Sequence, residues 1–558
     1  MNTFQKIFHT LSSRERFAVN ILILVVSVSL AASVLGFYYH FTKPVPVPGG
    51  EYKEGIVGQP MYINPVLLSA NGADSSLAKL VFSSLFKYDA DGKIVPDLAE
   101  SVETSGDGLT YTVKIKQGVK WHDEEPFSVD DILFTYQLIQ DPATKSPLRQ
   151  KWQGIGMEVV DESTIKFTLP SPYALFVSNN LTTGILPMHV WETVAPGNFS
   201  LAEYNLRPVG TGPFRFDDFE KDSGGMILSY DLSRNENYFG EKPFLDKFHL
   251  EFYPDEETMI DAFNNKQIFG METISPENLE KLKSKRSVNV QSIAIPRYFA
   301  VFFNQQKSKI MADREVRKAL SLATDKKAIV NDVLLGRGRE TSSPILPQMA
   351  GFADDTKKFE YDPEKAGKVL DDDGWKKDGD ARKKDGNVLE INLVTTDWPP
   401  LQKTADILKS QWEKIGVKVN VESFGVGEIQ QNYIRPREYE AILFGQSWTG
   451  FEADPFSLWH SSQSRDPGLN LALYVNSDSD KAIERLQGEA DAEKRNEDYK
   501  KFQQAVADDV PAVFLYSPDH IYVTNKNLQG NQISAIAFFE ERFAGATKWY
   551  MKTKRVKK

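Results

Sequence analysis

Gly445-Gln446-Ser447-Trp448-Thr449-Gly450 is the segment that comes nearest to a nucleophilic serine on a glycine-flanked turn, and its second glycine stands one residue too far for G-x-S-x-G. No H-E-x-x-H is present to hold zinc beside a general base, no G-x-x-x-x-G-K-[ST] to cradle phosphate, and no G-x-G-x-x-G for a dinucleotide. The chain has no cysteine, which excludes disulfides, thiolate nucleophiles and cysteine-zinc sites. Two acidic runs, Asp89-Ala90-Asp91-Gly92 and Asp371-Asp372-Asp373-Gly374, lack the distal glutamate that completes a calcium loop. They read as Asp-Gly turns, and no metal or cofactor is expected. What remains is a concentration of aromatics in WTGFEADPFSLWHSS, where Trp448 and Phe451 are followed by Asp454, Phe456 and Trp459. Rings of this kind bring large contact area with few rotors, which suits a binding crevice or a core equally.

The elements that would position these residues are legible from periodicity. LEINLVTT alternates as a strand, PPLQKTADILKSQWEKIG has helical spacing ending at Gly416, and VKVNVESF is a second strand; a short helix follows from Gly427, and YEAILFGQSW is a third strand. Such a β-α-β-α-β order predicts a locally parallel unit, with ligands bound beyond the carboxyl ends of the strands. Ser447 and Trp448 sit just past the third strand, so Trp448→Ala is expected to weaken binding and leave the fold intact. Earlier, LTYTVKIK and STIKFTLPSP read as strands and RPVGTGPFRF as a tight turn. FSVDDILFTYQLIQDP reads as a helix, with Ser128 and Asp131 closing its start and Asp141-Pro142 its end.

The chain has 558 residues with a net charge of −11, enough for about three or four structural units and unsuited to nucleic acid, whose phosphates need clustered cations. The one basic cluster, Lys548, Lys552, Lys554, Arg555, Lys557 and Lys558, reads as a solvated tail without a role, contact with anionic lipid being the alternative. From Phe17 to Thr42 there is no charge, which exceeds the ~20 apolar residues that cross a bilayer. Lys6, Arg14 and Arg16 precede it, and Phe37, Tyr38, Tyr39 and Phe41 form an aromatic belt at its far end. These flanks predict a cytoplasmic N-terminus (1–16), a transmembrane anchor (17–42) and an exported body. The alternative is a signal peptide cut near Ala31-Ala32-Ser33. KPVPVPGGEY then reads as an extended Pro/Gly linker over 43–50.

Six segments in order give the chain a resemblance to the family 5 extracellular solute-binding proteins, the oligopeptide, dipeptide and nickel receptors of ABC importers. They are GQPMYINPVLLSANGADSSLAKLVFSSLFKYDADGKIVPDLAES, LTYTVKIKQGVKWHDEEPFSVDDILFTYQLIQDP, RPVGTGPFRF, FFNQQKSKIMADREVRKALSLATDKKAIV, YDPEKAGKVLDDDGW and SWTGFEADPF. The resemblance implies an α/β, two-lobed periplasmic-binding-protein fold of the class II type with three subdomains, preceded here by one transmembrane helix. Lobe I would comprise 51–298 and 517–558, with an extra subdomain inserted at about 95–205, and lobe II would comprise 299–516. The crossings would fall near Ile295 to Asn304 and Phe514 to His520, and the lobes would close on a ligand by hinging there.

The same resemblance implies a non-catalytic, monomeric receptor that hands a peptide or peptide-like solute to a membrane permease driven by a separate ATPase. A peptide-binding sensor or chaperone on the same fold and an exported hydrolase are the alternatives. Peptide-binding members carry an aspartate three residues after the cleft tryptophan, pairing with the ligand's α-amino group. Here that position is Phe451. The candidate ligand contacts are therefore Ser447, Trp448, Thr449, Gly450, Phe451 and Asp454 in the cleft segment. Asn71, Gly72 and Asp74 are added from the first matched segment, Tyr298 and Phe299 from the first crossing, and Tyr516 from the second.

Overall fold

The computed structural model describes residues 12–68, 71–283 and 285–558. Of the expected cytoplasmic segment, residues 1–11, including Lys6, lie outside the described residues. Ser12 caps a helix, Ser13–Phe41, its backbone N–H donating to the Glu15 carboxylate at 2.8 Å. At about 1.5 Å per residue these 29 residues run about 43 Å, longer than a bilayer's hydrocarbon core. None of them is buried against the rest of the molecule.

The segment expected to be an extended Pro/Gly linker is half of a two-stranded ribbon. Thr42–Pro46 pairs antiparallel with Thr553–Lys557, Thr42 opposite Lys557 and Pro46 opposite Thr553. The Lys558 N–H donates to Phe41 O and the Val47 N–H to Lys552 O, so hydrogen bonding falls on the odd-numbered residues of the first strand. Pro44 and Pro46 occupy the outward parity, where a missing N–H costs nothing. The prolines do extend the chain, as their spacing predicts, but the extended chain is paired. The basic C-terminus, read as a solvated tail, supplies the pairing strand.

The body is built on one twelve-stranded sheet that runs through both lobes. Its central strand, Ala512–Asn525, pairs antiparallel along one half with Arg297–Phe303 and along the other with Val288–Ala294. Between those two partners lies Ile295-Pro296, opposite Ser517-Pro518, so each crossing carries a proline where the ladder changes partners. The buried apolar side chains divide at the same place. The buried residues of two cores come from 298–516, with Ala535 and Ala537 packed against one of them, and those of the other two come from before 298 and after 516.

In lobe II the expected unit is present: Glu390–Thr396, helix Pro399–Lys414, Lys418–Phe424, a short helical stretch from Val426 to Ile434, then Ala441–Ser447. The first strand pairs parallel with both others. Gly416 ends the long helix at φ +85°, and a Cβ there would stand 2.9 Å from Arg382 Cγ. In lobe I, Ala99–Thr104, Thr110–Ile115, Thr164–Thr168 and Gly156–Asp161 form a separate antiparallel sheet, and helix Val129–Gln140 shares a core with it. Asp131 accepts the Ser128 N–H at 2.8 Å, as the spacing predicts. The RPVGTGPFRF turn passes so close to the helix Gly72–Val81 that a Cβ on Gly210 would lie 1.9 Å from Val81 O.

Candidate ligand cleft

The third lobe II strand ends at Ser447, and the residues after it reach lobe I. Thr449 Oγ1 donates to Asn179 Oδ1 at 3.2 Å. Gly450 approaches Tyr88 so closely that a Cβ would stand 2.4 Å from its hydroxyl, and the Phe451 ring lies on Gly92. Asp454 Oδ2 accepts from the Tyr173 hydroxyl at 3.1 Å, and the Ala174 N–H donates to Gln487 O at 2.7 Å. Burial pushes the Asp454 carboxyl up, against the hydrogen bonds from Phe456 N–H and Tyr173 and the charge of Lys151. The lobes are therefore in contact, and the contact is glycine-dependent. Gly450→Ala is expected to hold them apart at a cost of about 1–3 kcal/mol, which lowers ligand affinity about tenfold. Small-angle scattering would show a smaller ligand-induced contraction; the wild-type contraction at wild-type affinity would refute the closure role.

Beside this junction lies a cavity of 490 Å³, within the range of about 300–1,000 Å³ of small-solute sites. Tyr88 and Asn179, two of the residues lobe II touches, are in its wall. The rest of the wall comes from helix Gly72–Val81, the hairpin Phe86–Tyr88 with Ile94–Pro96, the segment around Lys151, and the turn Phe539–Phe543. Most of its charges are matched. Lys87 pairs with Asp97 at 2.7 Å and Lys79 with Glu541 at 3.1 Å. Glu540 and Lys151 line the cavity with no ion pair to either side chain among the described residues. Burial pushes the Glu540 carboxyl up to about 7, with Glu541 acting in the same direction and Lys79 and Arg542 against it. Burial pushes Lys151 down, with Asp454 opposing.

A buried ion pair fixes the Glu540 wall. Arg542 Nε donates to Glu54 Oε1 at 2.8 Å, and both side chains have no exposed surface. The guanidinium also reaches Ser76 Oγ and Phe539 O, each at 2.9 Å, while the Tyr52 and Tyr522 hydroxyls donate to Glu54 Oε2. Burial works against the Arg542 charge, but Glu54 and Glu272 hold its pKa above the ordinary value. The cluster therefore ties the turn to the helix Gly72–Val81 through Ser76 and to the lobe I sheet through Glu54.

The candidates read from sequence fall into three groups, with Ser447 apart from them. Thr449, Gly450, Phe451 and Asp454 stand at the lobe junction, next to the cavity. Trp448, Tyr298, Phe299 and Tyr516 belong to the lobe II cores instead. Trp448 is 3% exposed and its indole N–H donates to Pro344 O at 2.9 Å. Tyr298 bonds Gln446 and accepts from Trp459, and Phe299 packs its ring on Tyr516. Ser447 is exposed and accepts from Arg297 at 2.9 Å. In the third group, Asn71 caps helix Gly72–Val81, and Asp74 accepts the Met61 and Tyr62 N–H groups. Gly72 makes room for Glu272, 2.6 Å from where its Cβ would be. Those three shape the fold of the first matched segment. Sequence reasoning missed Tyr88, Lys151, Asn179 and Glu540, which lie in a short strand and three single-turn helices with no pattern to single them out. The Asp89-Gly92 run is a turn, with Asp89 accepting the Asp91 and Lys93 N–H groups.

Comparison with known proteins agrees with this architecture. The chain is 29% identical over 496 residues to the oligopeptide-binding protein AppA of Bacillus subtilis (strain 168), covering 87% of this chain and 89% of that one. The structure of Bacillus subtilis AppA in complex with a nonapeptide covers 91% of this chain and 100% of its own at a TM-score of 0.70 and 26% identity. The ABC transporter substrate-binding protein CtaP of Listeria monocytogenes matches at 0.78, with 27% identity and coverage of 90% and 100%. NikZ of Campylobacter jejuni in complex with Ni(L-His) matches at 0.72, with 27% identity and coverage of 90% and 99%. The model of the bacterial extracellular solute-binding proteins, family 5 Middle, spans residues 93–468, from the lobe I hairpin through the junction segment of lobe II. With two lobes joined through paired strands and a solute-sized cavity beside their junction, this chain belongs to the family 5 bacterial extracellular solute-binding proteins.

Proposed function

We propose that this chain is the membrane-anchored receptor of an ABC importer, and that it captures short peptides as zwitterions. One observation carries the ligand reading: the cavity offers a carboxylate, Glu540, and an ammonium, Lys151, with no ion pair among the described residues, alongside Asp89 and Lys116, whose hydrogen bonds go to backbone groups. A ligand α-ammonium at Glu540 would do what an aspartate at position 451 does in peptide-binding relatives. The α-carboxylate would face Lys151. Glu540 is half-buried and Lys151 exposed at the cavity wall, so a solute that carries both signs complements them through charge-assisted hydrogen bonds. The receptor acts as a monomer, performs no catalytic step, and passes its solute to permease and ATPase subunits on other chains. Its helix Ser13–Phe41, apolar and uncovered, is retained as a single-pass anchor. The match to NikZ gives a second reading, a metal chelate in the same cavity, since an amino-acid chelate also presents charge at both ends.

Calorimetry with a short peptide, its N-acetylated form and its C-amidated form tests the first reading. Each cap is expected to weaken binding about ten- to a hundredfold, the scale of one charge-assisted hydrogen bond. Glu540→Gln should abolish discrimination against acetylation, and Lys151→Met discrimination against amidation. Affinity should also depend on pH. Below about 7 the Glu540 carboxyl is protonated in the free receptor and must release that proton to hold an ammonium, so binding weakens as pH falls. Above about 8 the peptide amine itself deprotonates, giving a bell with its acid limb missing in Glu540→Gln. Equal affinity for free and capped peptides would overturn the zwitterion reading, tight binding of nickel chelates alone would favour the second, and time-dependent peptide cleavage would overturn the receptor.

A further inference from the structure

We propose that the ribbon joining the two ends of the chain is a docking surface for anionic phospholipid headgroups, which the receptor uses to set its body against the membrane. The inference rests on the anchor reading above. The observation behind it is a local reversal of charge. The whole chain carries −11, yet residues 42–50 and 549–558 contain no aspartate or glutamate and bring together Lys43, Lys552, Lys554, Arg555, Lys557 and Lys558. A chain so acidic is repelled by an anionic bilayer except where cations are concentrated.

Geometry places those cations at headgroup depth. The ribbon starts at Thr42, directly after the aromatic end of the helix, and the Lys558 N–H closes on Phe41 O at 2.9 Å. Arg555 locks the two together. Its guanidinium lies 4.4 Å from the centre of the Tyr39 ring, and it donates to Thr42 Oγ1 and Thr42 O, each at 2.8 Å, and to Tyr39 O at 3.3 Å. Tyr38 and Tyr39 suit the interface between hydrocarbon and water. Lys43, Lys557 and Lys558 then fall in the headgroup layer, which is about 5–8 Å deep on each side. Lys554, three residues up at about 3.4 Å each, stands about 10 Å higher, within a Debye length of the surface.

Side chains alternate across the ribbon, so it is basic on both faces. Thr42 and Lys557 are opposite one another with Arg555 on the same face, while Lys43 and Lys554 share the other as diagonal neighbours. The lysines are exposed and none has an ion pair within the ribbon. Nor is the ribbon loosely tied to the body: the Gly49 N–H donates to Phe244 O at 2.7 Å and the Gly50 N–H to Asp246 Oδ2 at 3.1 Å. A headgroup contact at the ribbon is therefore felt by lobe I, to which both strands lead.

The test uses the full chain, recovered from cells and reconstituted in nanodiscs of equimolar phosphatidylglycerol and phosphatidylcholine. Intact mass comes first: a full-length mass supports the anchor, and loss of the segment before about residue 34 overturns the anchor and the docking surface together. Native mass spectrometry then counts the lipids retained by the wild type and by Lys43→Ser/Lys554→Ser/Lys557→Ser/Lys558→Ser, which keeps Arg555 and the backbone pairing. Each lysine near an anionic surface is worth about a fivefold preference. Phosphatidylglycerol is expected to be enriched several-fold on the wild type and to fall towards parity in the variant. Arg14→Gln/Arg16→Gln, at the other end of the helix, should retain most of the enrichment. A full-length chain whose preference is the same with and without the four lysines would overturn the docking surface and leave the anchor standing.

Discussion

Arg542→Met is expected to destabilise the protein by about 3–5 kcal/mol, far more than the loss of one ordinary hydrogen bond. Arg542 and Glu54 have no exposed surface, and the substitution would leave the Glu54 carboxylate buried with only the Tyr52 and Tyr522 hydroxyls facing it. Urea unfolding should show the midpoint falling with little change in slope. Glu54→Gln/Arg542→Met should recover much of the loss, because the cost is an uncompensated charge rather than a missing contact. Burial and the Arg542 charge hold the His520 pKa down to about 3, so the stability that neutral His520 contributes is lost as pH falls below its unfolded value of about 6.5. Ligand affinity should fall too, since Arg542 fixes the turn that carries Glu540. A loss under about 1 kcal/mol would show that the cluster is not the tie between this wall and the sheet.

How much of this was legible in the sequence follows from the range of the forces involved. Strands, the long helix and its cap are local patterns, and Glu390–Thr396, Pro399–Lys414 and Lys418–Phe424 lie within a residue or two of where periodicity puts them. The turn at Asp89-Gly92 was equally readable, because an aspartate accepting from its neighbours needs nothing distant. Pairing of Thr42–Pro46 with Thr553–Lys557 was not readable, since two short segments some five hundred residues apart carry no mutual signal. The cavity was illegible for the same reason. Lys79 is neutralised by Glu541 and Lys87 by Asp97, so only the assembled wall shows that Lys151 and Glu540 are among the charges without an ion pair. The resemblance to family 5 implied the two-lobed fold. It gave no guide to the site at Phe451, where this chain departs from the pattern.

Trp448 shows how a residue can stand at the right place in the topology and still belong to the core. It follows the third strand, as the crevice rule requires, but its backbone N–H donates to Pro296 O at 2.8 Å and its side chain turns into the lobe II core. The expectation that Trp448→Ala would spare the fold is therefore replaced by a loss of about 3–5 kcal/mol, the cost of emptying a large buried ring site. Binding should weaken as well, but through position: Thr449, Gly450 and Phe451 follow directly, and a collapsing anchor moves them off Asn179, Tyr88 and Gly92. Trp448→Phe separates the two effects. It keeps most of the volume and removes the indole N–H from Pro344 O, so it should cost about 1–3 kcal/mol and leave affinity within a few-fold of wild type. If Trp448→Ala instead unfolded at the wild-type urea concentration while losing affinity, the ring would be a ligand contact after all, and the cavity beside Tyr88 would have to extend across the junction to reach it.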